Sequence, residues 1–173
     1  MDYTVRARRI DGHGSIATTK AAEIVLDTDL RGRADAFNPA ELFLASVAAC
    51  MIKGIERVTP MLKFELKAVE VRLRAVRQDT PPKIQSIDYE ISVDTDESDH
   101  RLELLHSNVR KYGTISNTVA EATHLSGVLR RMTAPGEAEM KEHAAEIAMI
   151  AAESRKERDS IPPIGTDVLH EGP

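Results

Sequence analysis

The chain has no tryptophan, three tyrosines, three phenylalanines and one cysteine among 173 residues. With so few aromatic rings, recognition of single-stranded nucleic acid by base stacking is not expected. The core must instead be packed from Leu, Ile, Val, Ala and Met. A single cysteine excludes an internal disulfide and any Cys-only metal site, and it fits a reducing compartment. No run reaches the roughly 18 to 20 apolar residues of a membrane span, so no membrane association is expected. The start, Met1-Asp2-Tyr3, lacks a charged segment followed by an apolar one. The reading is therefore no signal peptide and a cytoplasmic location.

No basic stripe is present either, and the net charge is −5 with a pI near 5.7. A nucleic-acid partner is not expected. Nine of the 28 acidic and four of the 23 basic residues lie from Thr133 onward, so the acidity belongs to the C-terminal segment and the preceding 132 residues are neutral. Glycine-rich phosphate loops and a Gly-x-Ser-x-Gly elbow are missing. His100 and His106 lack the three- or four-residue spacing of a helical ligand pair. His143 and Glu146 are one such pair on an acidic helix, which alone makes no metal site. No metal or cofactor is assigned.

What is present reads as one α+β domain, residues 1–132, followed by an extension, residues 133–173. Residues 2–9 alternate and predict a strand. Asp11-Gly12-His13-Gly14 is a turn, and further strands follow near Ser15–Thr18 and Ala22–Leu26. After a loop over Asp27–Phe37, Asn38-Pro39 supplies a cap and a first-turn proline. The run Ala40–Val58 is apolar on nearly every face, which predicts a helix buried all round in its first part and ended by Thr59-Pro60. Val69–Ala75 and Ile87–Val93 alternate around a turn at Asp79–Pro82, an antiparallel hairpin with one dry face. Leu102, Leu105, Val109 and Tyr112 predict an amphipathic helix from about Ser98 to Tyr112, with Gly113 as its C′ residue. Thr114 or Ser116 would cap a short helix, and Leu125–Met132 would form a last strand. Beyond Pro135-Gly136, Glu137–Arg158 predicts a helix and the remainder an irregular tail.

Cys50 lies within Ala48-Ala49-Cys50-Met51-Ile52. Free cysteine is among the most buried residue types, so one reading is a small apolar filler. The other is a reactive thiol, which requires ionisation and therefore nearby positive charge or exposure. Lys53, one turn further along the same face, would favour the thiolate, but the stronger local reading is a lysine lifting its ammonium to water near a helix end.

The segment Asn38-Pro39-Ala40-Glu41-Leu42-Phe43-Leu44-Ala45-Ser46-Val47-Ala48-Ala49-Cys50 resembles the central-helix signature of the OsmC/Ohr family, Asn-Pro-Glu-x-Leu followed by small apolar residues and Ala-Cys. Lys111–Val119 is similar to the family segment reading Cys-Pro-x-Ser-Asn, and the order of elements agrees over about residues 1–132. The resemblance implies an OsmC-like fold: antiparallel sheets wrapped around buried central helices in an intertwined homodimer, with active sites at the subunit interface. It also implies reduction of organic hydroperoxides by the helix cysteine through a sulfenic acid, resolved by a second cysteine and reset by external thiols. An Arg and a Glu would hold the first thiol ionised.

This chain departs from that pattern. Gly113 stands where the resolving cysteine belongs, Thr114 where its proline belongs, and Ala40 where the family has its Glu. By resemblance, the site residues are Cys50, with Arg9 (or else Arg8) as the cation and Glu41 as the displaced acid. One residue on a helix is a rotation of about 100°, so Glu41 also fits a purely local role at the helix N-terminus. Two functions are therefore implied. One is a single-cysteine thiol peroxidase using an external thiol reductant; the other is a non-catalytic relative that binds a small apolar molecule in the dimer cleft.

Overall fold

The computed structural model describes residues 2–132, and the expected C-terminal helix, tail and boundary at Pro135-Gly136 lie outside them. The described residues form two three-stranded sheets and three helices.

Strands β1 (Arg6–Arg9), β2 (Gly14–Thr19) and β3 (Ala22–Asp27) pair antiparallel in that order. The Asp11 carboxylate accepts the N–H groups of His13 (2.7 Å) and Gly14 (3.0 Å), which shapes the first turn. The second turn is the two-residue loop Lys20–Ala21, with Lys20 at φ 52°. The first strand is shorter than its alternation predicts. Its partner β2 ends at Thr19, whose hydroxyl donates to the Thr4 carbonyl at 2.8 Å, and the side chains of Tyr3 and Val5 stay exposed.

Helix α1 runs Pro39–Leu62. Asn38 Oδ1 accepts from the N–H groups of Ala40 and Glu41, and Glu41 Oε2 accepts from the Asn38 N–H at 2.9 Å, a complete capping box. The helix does not stop at Thr59-Pro60. Pro60 cannot donate to the Glu56 carbonyl, and the Thr59 hydroxyl donates there instead at 3.4 Å. The helix ends at Lys63 in the left-handed conformation, φ 49°. Nor is its first half buried all round. Within the chain α1 buries one stripe, Val47, Met51, Gly54, Ile55, Val58 and Thr59, while Phe43 remains 37% exposed and Ala49 is exposed.

That stripe packs on the second sheet, β4 (Ala68–Gln78), β5 (Lys83–Asp94) and β6 (His124–Arg131). The β4–β5 hairpin keeps the alternation its sequence shows, with Ile87, Tyr89, Ile91 and Val93 turned inward. Each fully buried Ile or Val there contributes roughly 1.5–3 kcal/mol of apolar transfer. The expected all-antiparallel arrangement does not hold for this sheet, because β6 runs parallel to β5. Parallel neighbours need a long crossover, and helices α2 (Asp99–Tyr112) and α3 (Thr114–Ala120) provide it.

On α2, Leu102, Leu105 and Val109 face the core, but Tyr112 is 42% exposed and leaves the expected stripe. Gly113 is not left-handed: at φ −78° it ends α2 and caps α3, so neither Thr114 nor Ser116 acts as the cap. A side chain there would be tight, since a Cβ would stand 3.1 Å from Ser116 Oγ and 3.3 Å from the Val109 carbonyl oxygen.

Candidate functional site

Cys50 sits mid-way along α1, half-buried. Helical spacing places Pro39, Leu42, Phe43 and Ser46 on one face, and the same row continues through Ala49 and Cys50 to Lys53. This face lies about 120° around the helix from the stripe that packs on the sheet. Between it and the end of β3, Leu26 and Thr28 close a groove of 370 Å³ with Pro39, Leu42, Phe43 and Ser46. The groove is almost entirely apolar, and Cys50 follows one turn beyond Ser46 on its helical wall.

The other expected site residues are placed apart from the thiol within this chain. Glu41 precedes Cys50 by nine residues, about two and a half turns, so the two side chains leave opposite sides of the helix. Its carboxylate is held by the Asn38 N–H. Arg9 ends β1, whose four side chains are all exposed, and its Nη2 hangs 3.8 Å from where a Cβ at Gly12 would stand. Arg8 shares that exposed strand. No hydrogen bond or ion pair among the described residues joins Cys50 to Arg8, Arg9 or Glu41. Lys53 is exposed, as a lysine reaching water would be.

A second concavity of 460 Å³ opens between α2, α3 and the β5–β6 strands. On its lining the Tyr89 hydroxyl and His106 Nε2 are 2.8 Å apart. Tyr89 comes from the inward row of β5 and is 5% exposed; His106 follows Leu105 on α2. Gly127 of β6 stands opposite Tyr89, and any Cβ there would run into the Tyr89 carbonyl oxygen and ring, so this glycine admits the aromatic side chain. Burial pushes the Tyr89 hydroxyl pKa up, with a smaller opposing effect from Arg110. Burial, then the Arg110 charge, pushes the His106 pKa down and favours the neutral imidazole. Ser116 also lines this space. It is 7% exposed, and its hydroxyl has no partner among the described residues.

Nothing in the alternation of β5 or the periodicity of α2 marks these residues as a group. Their only sequence signal is a polar-tipped ring on an otherwise aliphatic strand face and a histidine beside a core leucine. Among the described residues no cluster of three or more His, Cys, Asp or Glu side chains is disposed to hold a metal ion, and no helix is long and apolar enough to cross a membrane.

A family model described as OsmC-like protein matches residues 32–126. No curated protein matches the chain in sequence. Among solved structures, an OsmC-like protein from Mycoplasma pneumoniae is 16% identical and superposes with a TM-score of 0.72 over 77% of this chain and 99% of that one. The organic hydroperoxide resistance protein OhrB of Bacillus subtilis is 16% identical, with a TM-score of 0.58 over 75% and 98%. An organic hydroperoxide resistance protein OsmC from Legionella pneumophila is 20% identical, with a TM-score of 0.58 over 77% and 98%. At such identities the likeness is one of fold.

Proposed function

Because this chain belongs to the OsmC-like protein family, we propose that it is a single-cysteine thiol peroxidase, active as an intertwined homodimer in the cytoplasm, that reduces organic hydroperoxides. The observation that carries this reading is the shared face of α1. The half-buried Cys50 follows directly on an apolar groove that the chain's own sheet leaves open. An alkyl or aryl tail seated on Leu26, Leu42 and Phe43 would direct its peroxide end along the helix toward the sulfur. A homodimer would cover the exposed part of α1 that includes Phe43 and Ala49, as an apolar helix face requires.

The chemistry needs only the thiolate and two equivalents of external thiol. The Cys50 sulfur attacks the distal peroxide oxygen, the O–O bond breaks, and the alkoxide leaves as alcohol after taking a proton, giving the sulfenic acid. A first external thiol attacks the sulfenic sulfur and expels water, forming a mixed disulfide. A second releases the Cys50 thiol and departs as the external disulfide. Gly113 replaces the resolving thiol, so no internal disulfide interrupts this sequence. Arg9 is the proposed cation that favours the thiolate, delivered across the dimer. Glu41, named by resemblance as the acid, acts here through the helix cap that orients the groove.

The test is incubation of the full chain with a modest excess of cumene hydroperoxide and a sulfenic-acid trap, followed by mass spectrometry. The expected product is one adduct on Cys50. Absence of that adduct ends the peroxidase reading and leaves the ligand-binding relative, whose affinity for small apolar molecules a Cys50→Ser change would not alter.

A further inference from the structure

The described residues contain one polar interior that the thiol chemistry does not use. The concavity between α2, α3 and β5–β6 is lined by apolar Met51, Ile91 and Leu125 and by the cationic Arg110 and Lys111. We propose that this cavity is a binding site for a small organic acid, its carboxylate held by Arg110 and Lys111 and its hydrocarbon body on Met51, Ile91 and Leu125.

The donor inventory selects the ligand class. Arginine and lysine donate and never accept, whereas the Ser116 hydroxyl oxygen is enclosed by the protein and offers the ligand nothing. The Tyr89 hydroxyl and His106 Nε2 are engaged with each other. Asn117 already donates through Nδ2 to the Lys111 carbonyl at 3.3 Å. Glu103, the remaining charged group on the lining, adds one negative charge against two positive. An acceptor-only head group therefore fits, and a carboxylate forms charge-assisted bonds to Arg110 of the strong kind. The apolar wall adds the demand for a hydrocarbon body, which inorganic anions lack. A volume of 460 Å³ lies in the range of small-molecule pockets and suits an acid of medium chain length.

The experiment titrates the full chain at neutral pH with octanoate, octanol and inorganic phosphate, following backbone amide shifts by NMR. Octanoate should move resonances of α2, α3 and β6, and both octanol and phosphate should bind at least about tenfold more weakly. Arg110→Ala should weaken octanoate by about tenfold while leaving the fold intact, since that side chain is exposed. Ser116→Ala should bind octanoate like the parent and stabilise the protein, because it removes a buried unpaired hydroxyl that the cavity does not reach. Cys50→Ser should bind octanoate like the parent, which separates this site from the thiol. Equal affinity for octanol or phosphate, unchanged affinity in Arg110→Ala, or shifts confined to the groove of Leu42, Phe43 and Ser46 would each overturn the assignment.

Discussion

The Tyr89 hydroxyl lies 2.8 Å from His106 Nε2, and the two rings meet edge to face at 76°. This contact fastens the inward row of β5 to α2 by a polar bond in an otherwise aliphatic interface. Removing the hydroxyl with Tyr89→Phe should leave the imidazole nitrogen without its partner and cost about 1–2 kcal/mol, read as a lower urea midpoint at unchanged slope. An unaltered midpoint would show that the bond contributes nothing net.

The same pair gives the fold a pH dependence of definite sign. Burial holds the His106 pKa below its ordinary 6.5, so in acid the unfolded chain takes up this proton more readily than the folded one. Stability is full above pH 6.5 and declines as pH falls from there toward the folded value. The carboxylates of Asp11, Asp29, Asp96 and Glu97 are held below their usual range, the first two chiefly by backbone N–H groups and the latter two chiefly by Lys67 and Arg101. Their contribution is lost only as pH drops through those lowered values, so the two windows separate. Denaturation midpoints measured between pH 7.5 and 5, as rough limits bracketing an ordinary histidine, should fall in the parent and stay flatter in His106→Gln.

Two glycines should respond to alanine with opposite signs. At Gly127 the added methyl meets the Tyr89 backbone and ring, and overpacking of this kind costs about 3 kcal/mol or prevents folding. At Gly54 the nearest atom to a new Cβ is Val109 Cγ1 at 3.5 Å, an ordinary contact. There the helix preference for alanine should stabilise α1 by up to about 1 kcal/mol. Thermal unfolding of the two variants side by side decides the matter.

Arg101 joins three segments. Its Nη2 donates to the Leu62 and Lys63 carbonyls at the end of α1 (2.9 and 2.8 Å) and to Glu97, and its guanidinium lies 5.7 Å from the Phe64 ring centre. Arg101→Ala should cost about 2 kcal/mol, and Arg101→Lys should recover only part, because one ammonium cannot reproduce the fork. Full recovery by lysine would reduce the role of Arg101 to simple charge.

Variants at the α1 face separate cap from chemistry. Glu41→Gln preserves a capping box, so the rate of Cys50 oxidation by cumene hydroperoxide should stay within about twofold of the parent. Arg9→Ala should slow it by about tenfold or more if that guanidinium favours the thiolate. Without added thiol, the parent should consume peroxide stoichiometrically and not catalytically, one equivalent per chain giving the sulfenic acid, because its sole cysteine has no internal partner. Excess peroxide should carry it on to the sulfinic acid. Continued turnover without thiol would refute the single-cysteine scheme.

Much of the fold was legible in the sequence because local chemistry fixes it. Asn38, Pro39 and Glu41 spell the start of α1, and the alternation of Val69–Ala75 and Ile87–Val93 fixes a hairpin and its dry face. The resemblance around Asn38–Cys50 pointed to the OsmC-like family that the match over residues 32–126 shows. What the sequence left open depended on partners distant in the chain. Helix α1 runs past the stop signal at Thr59-Pro60 because a Thr59 hydroxyl compensates for Pro60. The first strand is shorter than its alternation because β2, not its own pattern, limits its length. The direction of β6 beside β5, the single buried stripe of α1, and the meeting of Tyr89, His106 and Ser116 around one cavity emerge only when α2 and α3 cross the sheet. Periodicity records which face of an element is apolar, whereas the identity of what covers that face is a property of the folded whole.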